Sequence, residues 1–136
     1  MISGVTPSRA HSRTILVAED EADILRMLRR FLEGEGYRVV GAPDGERAVE
    51  VALRERPDLI MMDLNMPVLD GFEASKRIRR HPSMRDVPIL ANSAYGEHGM
   101  RFSLREEELG PGFTFYFTKP FEFDDLREML RRLLPE

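Results

Sequence analysis

Short apolar runs alternate along this chain with longer segments whose apolar residues recur every three or four positions. The runs are Thr14-Ile15-Leu16-Val17-Ala18, Tyr37-Arg38-Val39-Val40-Gly41, Leu59-Ile60-Met61-Met62-Asp63, Val87-Pro88-Ile89-Leu90-Ala91-Asn92 and Phe113-Thr114-Phe115-Tyr116-Phe117-Thr118. Apolar runs bounded by turn residues predict strands buried on both faces. Ile24, Leu25, Leu28, Phe31 and Leu32 mark a first helix, and Ala48, Val49, Ala52 and Leu53 a second. Phe72 and Ile78 belong to a third, and Leu126, Met129, Leu130, Leu133 and Leu134 stripe the last. The punctuation agrees with this reading. Gly34 and Gly36 close the first helix, Asp44 caps the second before Pro57 stops it, and Asp70-Gly71 opens a third that ends at His81-Pro82. From Glu97 to Pro111 the pattern is least legible, with a helix predicted near Met100 to Leu109.

A strand-helix alternation repeated five times implies right-handed crossovers and a parallel sheet covered by helices on both faces. The expected fold class is α/β, a flavodoxin-like doubly wound (βα)5 sandwich whose five parallel strands run in the order 2-1-3-4-5. That order places the first and third strands side by side. Glu19 and Asp20, after the first strand, then meet Asp63, at the end of the third, although more than forty positions separate Asp20 from Asp63 in the chain. Ser93 follows the fourth strand and Lys119 the fifth. Ligands of open α/β sheets collect outside the carboxyl ends of the strands, so these side chains are candidates for chemistry.

Composition narrows the classes of function. With 136 residues and 42% hydrophobic content, the chain is one domain's worth of globular sequence, read as a tail over residues 1–12 and a domain over 13–136. It has no cysteine, so neither disulfides nor thiolate zinc ligation is available. No apolar stretch is long enough to span a bilayer and the N-terminus lacks signal-peptide order, so the expectation is a cytoplasmic protein with no membrane insertion. The net charge is −4, and residues 1–13 hold Arg9 and Arg13 but no acid, which leaves a mildly acidic domain. Such a domain matches a phosphate backbone poorly, and no direct nucleic-acid binding is expected.

Three carboxylates in one crevice repel one another unless a cation lies between them. A hard divalent ion that prefers oxygen ligands suits them, and Mg²⁺ is the cofactor this donor set predicts. A carboxylate beside such charge can act as a nucleophile toward phosphorus, forming an aspartyl phosphate. Lys119 then serves as a point charge on the phosphoryl oxygens and Ser93 as a hydroxyl donor. Met alone, a Glu-Asp or Asp-Gly pair after a strand is more often a turn or helix cap. The coincidence of such features at successive strand ends reverses those odds. His11, His81 and His98 show no ligand spacing. A solvated helix face accounts for Arg26, Arg29 and Arg30 better than a docking face for an acidic partner does.

In order and spacing, Glu19-Asp20, Asp63 with Met66-Pro67, Asp70-Gly71, Ser93-Ala94, Tyr116 and Lys119-Pro120-Phe121 resemble the receiver domain of bacterial two-component response regulators. The resemblance runs from Arg13 to the C-terminus. It implies a phosphorylation-dependent switch, chemotaxis-regulator-like, in which Asp63 accepts a phosphoryl group from a sensor histidine kinase or histidine phosphotransfer protein. It further implies Mg²⁺ held by Asp20, Asp63 and the Asn65 backbone carbonyl, with Glu19 reaching the ion through water. Ser93 and Tyr116 would act as the switch pair and remodel the surface read by a downstream protein target, in a monomer or phosphorylation-dependent dimer. The activity implied is signalling with intrinsic Mg²⁺-dependent phosphotransfer and autodephosphorylation. The chain departs from the family pattern in Glu19 where aspartate is common, in a longer stretch between Ser93 and Lys119, and in Tyr95, whose bulk is expected to slow attack of water on the phosphoryl group. The alternative reading is a pseudo-receiver, the same fold acting as a constitutive protein-interaction domain. A metal-dependent phosphatase is disfavoured, because Asn65 leaves no second carboxylate there for general acid work.

Overall fold

The computed structural model describes residues 13–94, 115–119 and 122–135, with the backbone alone at 93, 94 and 115–119. Five strands, β1 (Thr14–Ala18), β2 (Arg38–Ala42), β3 (Leu59–Asp63), β4 (Ile89–Ala94) and β5 (Phe115–Lys119), form one sheet in the order β2-β1-β3-β4-β5. Every pairing is parallel, as the alternation requires. The described helices are α1 (Ala22–Gly34), α2 (Gly45–Glu55), α3 (Gly71–Arg79) and α4 (Phe123–Leu133). The expected helix near Met100 to Leu109, the tail over residues 1–12 and Tyr95 lie outside the described residues.

Side chains along a strand point alternately to opposite faces, and the core divides accordingly. Leu16, Ala18, Ile60 and Met62 pack with Ala48, Ala52, Ala74 and Ile78 of α2 and α3 on one face. Ile15, Val17, Leu59, Met61 and Leu90 pack with Leu28 and Leu32 of α1 and Leu126 and Leu130 of α4 on the other. With both faces covered, β1 and β3 are buried along their whole length, which is why they read as continuous apolar runs. Across the second layer, the Phe31 and Phe123 rings stack at 4.4 Å, and Arg127 lies over Phe31 while pairing with Glu35 at 3.1 Å.

The local stops act as their chemistry predicts. Gly36, at φ 99°, ends α1: its N–H donates to Glu33 O at 3.0 Å and the Tyr37 N–H to Leu32 O at 3.1 Å. Tyr37 is thereby spent on the helix end, so β2 begins one residue later than the sequence pattern suggests. Asp44 and Asp70 cap α2 and α3 by accepting from the Arg47 and Glu73 N–H groups at 2.8 and 2.9 Å. The sequence pattern starts the fourth strand at Val87, whereas β4 begins at Ile89 and runs through Ser93 to Ala94. Pro88 has no N–H for the ladder, and only its carbonyl is used, accepting from Ile60 N at 2.9 Å. A short 3₁₀ turn, Pro82–Met84, was not legible in the periodicity; it buries Met84 beneath α3.

Candidate functional site

At the carboxyl ends of β1 and β3 the sheet delivers acids. The parallel register pairs Ala18 with Met62, so the residues that follow, Glu19 with Asp20 and Asp63, leave neighbouring strands at one level. Glu19, Asp20 and Asp63 each offer an oxygen within 4.8 Å of the others'. Glu19 and Asp63 are buried, at 2% and 3% exposure, and Asp20 is exposed, so the cluster opens toward solvent through Asp20.

Backbone groups fix the two buried acids. The Glu19 N–H donates to Ala42 O at 2.9 Å, extending the β1–β2 ladder by one residue, and its own Oε2 accepts from the Glu21 N–H at 3.2 Å. Asp63 Oδ1 accepts from the Asn65 N–H at 3.1 Å, an Asx-type turn that folds the chain back over the strand end. Asn65 is exposed beside the cluster. The Leu64 N–H donates to Asn92 O at 2.9 Å, tying the β3 exit to β4.

The loop from β3 to α3 is held from below by two close approaches. A side chain at Gly45 would meet the Leu69 carbonyl oxygen at 1.8 Å, and one at Gly71 would meet the Asp63 carbonyl oxygen at 2.4 Å. Within the loop the Leu69 N–H donates to Pro67 O at 2.7 Å, a γ-turn centred on Val68, whose φ is 69°. This positive φ on an exposed β-branched residue is a strained conformation within the loop that follows Asp63.

Ser93, Tyr116 and Lys119 are placed here by their backbone register alone. In the β4–β5 pairing Ser93 stands opposite Thr118, Ala94 opposite Lys119 and Ala91 opposite Tyr116. Ser93 and Lys119 are therefore at the carboxyl ends of β4 and β5, the same edge of the sheet as Asp63. Asn92 was not singled out from the sequence. It pairs with Asp63 and is buried at 3% exposure, and the signal that could have found it is an amide within an otherwise apolar strand.

The cluster has the chemistry of a hard-cation site: oxygen donors only, two of them buried, at the end of adjacent parallel strands. A model of the response regulator receiver domain matches residues 15–131, and the chain belongs to that family, the receiver domains of two-component systems. Sporulation initiation phosphotransferase F of Bacillus subtilis is 31% identical over 121 residues, covering 89% of this chain and 93% of the relative. The transcriptional regulatory protein PdtaR of Mycobacterium tuberculosis is 41% identical over 115 residues, and this chain spans 53% of its length.

Among solved structures, the receiver domain of sensor histidine kinase PA1611 from Pseudomonas aeruginosa, with a magnesium ion coordinated in its active-site cleft, superposes with a TM-score of 0.79. It is 35% identical, and the match covers 91% of this chain and 98% of that one. Response regulator TrrA of Thermotoga maritima, in complex with Mg²⁺ and BeF, gives a TM-score of 0.76 at 30% identity, covering 90% of this chain and 99% of that one. Receiver domains interact with histidine kinases or phosphotransfer proteins. Among the described residues, no helix is long and apolar enough to cross a membrane.

Proposed function

We propose that this chain is a phosphorylation-dependent switch of a two-component phosphorelay, with Asp63 as the residue that accepts the phosphoryl group from a histidine kinase or phosphotransfer protein. The observation that carries this reading is the convergence of Glu19, Asp20 and Asp63, with oxygens within 4.8 Å of one another, at the ends of adjacent strands. The functional unit in this reading spans residues 13–136, with 1–12 as a tail.

The donor set fits Mg²⁺, as oxygen ligands of this number suit a small hard cation. Asp20 and Asp63 would hold it with the Asn65 backbone carbonyl, and Glu19 would reach it through water. When bound, the ion neutralises negative charge on the carboxylates and on an incoming phosphoryl group. The remaining work falls to the chain itself. Asp63 is the nucleophile: a carboxylate oxygen forms the bond to phosphorus as the bond to the donor nitrogen or oxygen breaks. The Asn65 N–H holds the other role of the site, orienting Asp63 through its Oδ1. Lys119 and Ser93, at the strand ends beside it, supply a cation and a hydroxyl to the phosphoryl oxygens. Ser93 and Tyr116 are the pair through which the added charge reaches the partner-facing surface. Water removes the group in a slower second step, and Tyr95 hinders its approach.

The test is intact-protein mass after incubation with acetyl phosphate and Mg²⁺, beside an Asp63→Asn control. A phosphate-sized gain that needs Mg²⁺ and is lost in the variant is the expected result. No gain, with a known receiver labelled in parallel, would favour the pseudo-receiver reading instead.

A further inference from the structure

Asp63 has acids on one flank and an amide on the other. Toward β1 stand Glu19 and Asp20; toward β4 stands Asn92, its partner in the parallel register. Met61 and Leu90, paired two residues earlier, both pack in the core shared with α1 and α4. Alternation along each strand then puts Asp63 and Asn92 on that same face of the sheet. The amide thus borders the carboxylate on the side away from the cation ligands.

Asn92 is an expensive residue to keep there. It is 3% exposed, and among the described residues its Oδ1 is enclosed with no hydrogen-bond partner. An enclosed acceptor without a donor costs stability, and an apolar residue of the same shape would remove that cost. Asparagine is also disfavoured in strands. A buried polar group that lacks a partner and borders a nucleophile calls for a chemical explanation. Of the two ends of the amide, the amino group is the donor, the end whose chemistry suits an acceptor such as the neighbouring Asp63 carboxylate.

We propose that Asn92 is a positioning residue for loss of the phosphoryl group, donating an N–H to the Asp63 carboxylate as it leaves phosphorus. The inference rests on Asp63 being the phosphoacceptor. In hydrolysis a water oxygen bonds to phosphorus and the bond from phosphorus to the Asp63 oxygen breaks. The electron pair of that bond returns to Asp63 as carboxylate charge, and the proton from water leaves with phosphate or to solvent. A donor aimed at the carboxylate stabilises charge that is absent from the acyl phosphate and present as the bond breaks. Asn92 therefore shortens the phosphorylated state, and its effect falls on loss of the group more than on its gain.

Isosteric variants separate donor from shape. The full chain is labelled with acetyl phosphate and Mg²⁺, the donor is removed, and decay is followed by intact mass. Asn92→Val, which has no donor, slows decay by about fivefold or more, while Asn92→Thr, which keeps a hydroxyl donor, stays within about twofold of the wild type. Asn92→Val also melts no lower than the wild type, since it removes the enclosed acceptor. Equal lifetimes for Asn92→Val and wild type overturn the proposal, and so does equal slowing in both variants, which would assign the effect to packing. Should Asn92→Val not fold, Asn92→Ala read against Asn92→Ser makes the same comparison. A wild-type chain that never gains the group overturns this inference together with the Asp63 reading, a result distinct from either.

Discussion

Gly71→Ala sets two effects of opposite sign against each other. Gly71 is the first residue of α3, and alanine is the better helix former by about 0.8–1 kcal/mol, so propensity alone predicts a more stable protein. The added Cβ, however, would lie 2.4 Å from the Asp63 carbonyl oxygen and 2.9 Å from the Leu64 Cα, where contacts under 3.0 Å are essentially never found. Both neighbours are backbone at the exit of a fully buried strand, so no flexible side chain can give way. Either α3 or the β3 exit must move, and overpacking of this kind costs about 1–3 kcal/mol. Taking about 2–3 kcal/mol for a backbone clash, less the propensity gain, leaves a net loss of about 1–2 kcal/mol, or a melting point lower by about 4–8 °C. Asp63 moves with its carbonyl, and a misplacement approaching 1 Å can cost about a hundredfold in rate. Urea and thermal denaturation, with phosphorylation by acetyl phosphate followed in parallel, measure both. A Gly71→Ala protein as stable as the wild type, or more so, would refute the reasoning.

Val68→Gly is expected to raise stability by about 0.5–1 kcal/mol, because the left-handed conformation at φ 69° is costly for a β-branched residue and 74% exposure leaves little burial to lose; a lower urea midpoint would contradict this. Asp20→Asn removes one of three crowded charges, so without metal its melting point rises by about 2 °C. Mg²⁺ at a hundredfold above its Kd adds about 2.7 kcal/mol to the wild type and much less to this variant, which scanning calorimetry with and without the ion can compare. Hydrogen bonds from Arg54 first and then Arg38 hold the Glu55 carboxyl below the usual carboxylate range. A depressed folded value stabilises the protein above the unfolded pKa and is lost as pH falls through the folded one. The stability difference between wild type and Glu55→Gln should therefore shrink on acidification, and also in high salt because both arginine partners are exposed; a difference that grows toward acid would exclude it.

Much of the fold could be read locally. The runs that became β1 and β3 are apolar at every position because both faces of the sheet are covered, and Asp44 and Asp70 cap helices where their neighbours predict it. Where the reading slipped, a neighbouring interaction had claimed the residue, as with Tyr37, whose N–H closes α1 before β2 can begin. Of the site, Glu19, Asp20 and Asp63 were visible as acids stopping apolar runs. Asn92 was not, since one amide inside a strand carries no periodic signal, and its meaning depends on its neighbour across the ladder.

Among the described residues, the sequence by itself determined which segments are the strands and α-helices, nearly where they stop, and which acids stand at strand ends, because spacing over a few residues decides which face is apolar and which residue can cap. Tertiary structure decided the rest. Strand order brings Glu19 and Asp20 to Asp63, close packing leaves room only for glycine at Gly45 and Gly71, and the β3–α3 loop forces Val68 to positive φ. Each of these depends on distances between residues far apart in the chain or on backbone conformation imposed from outside, and neither is written in local spacing.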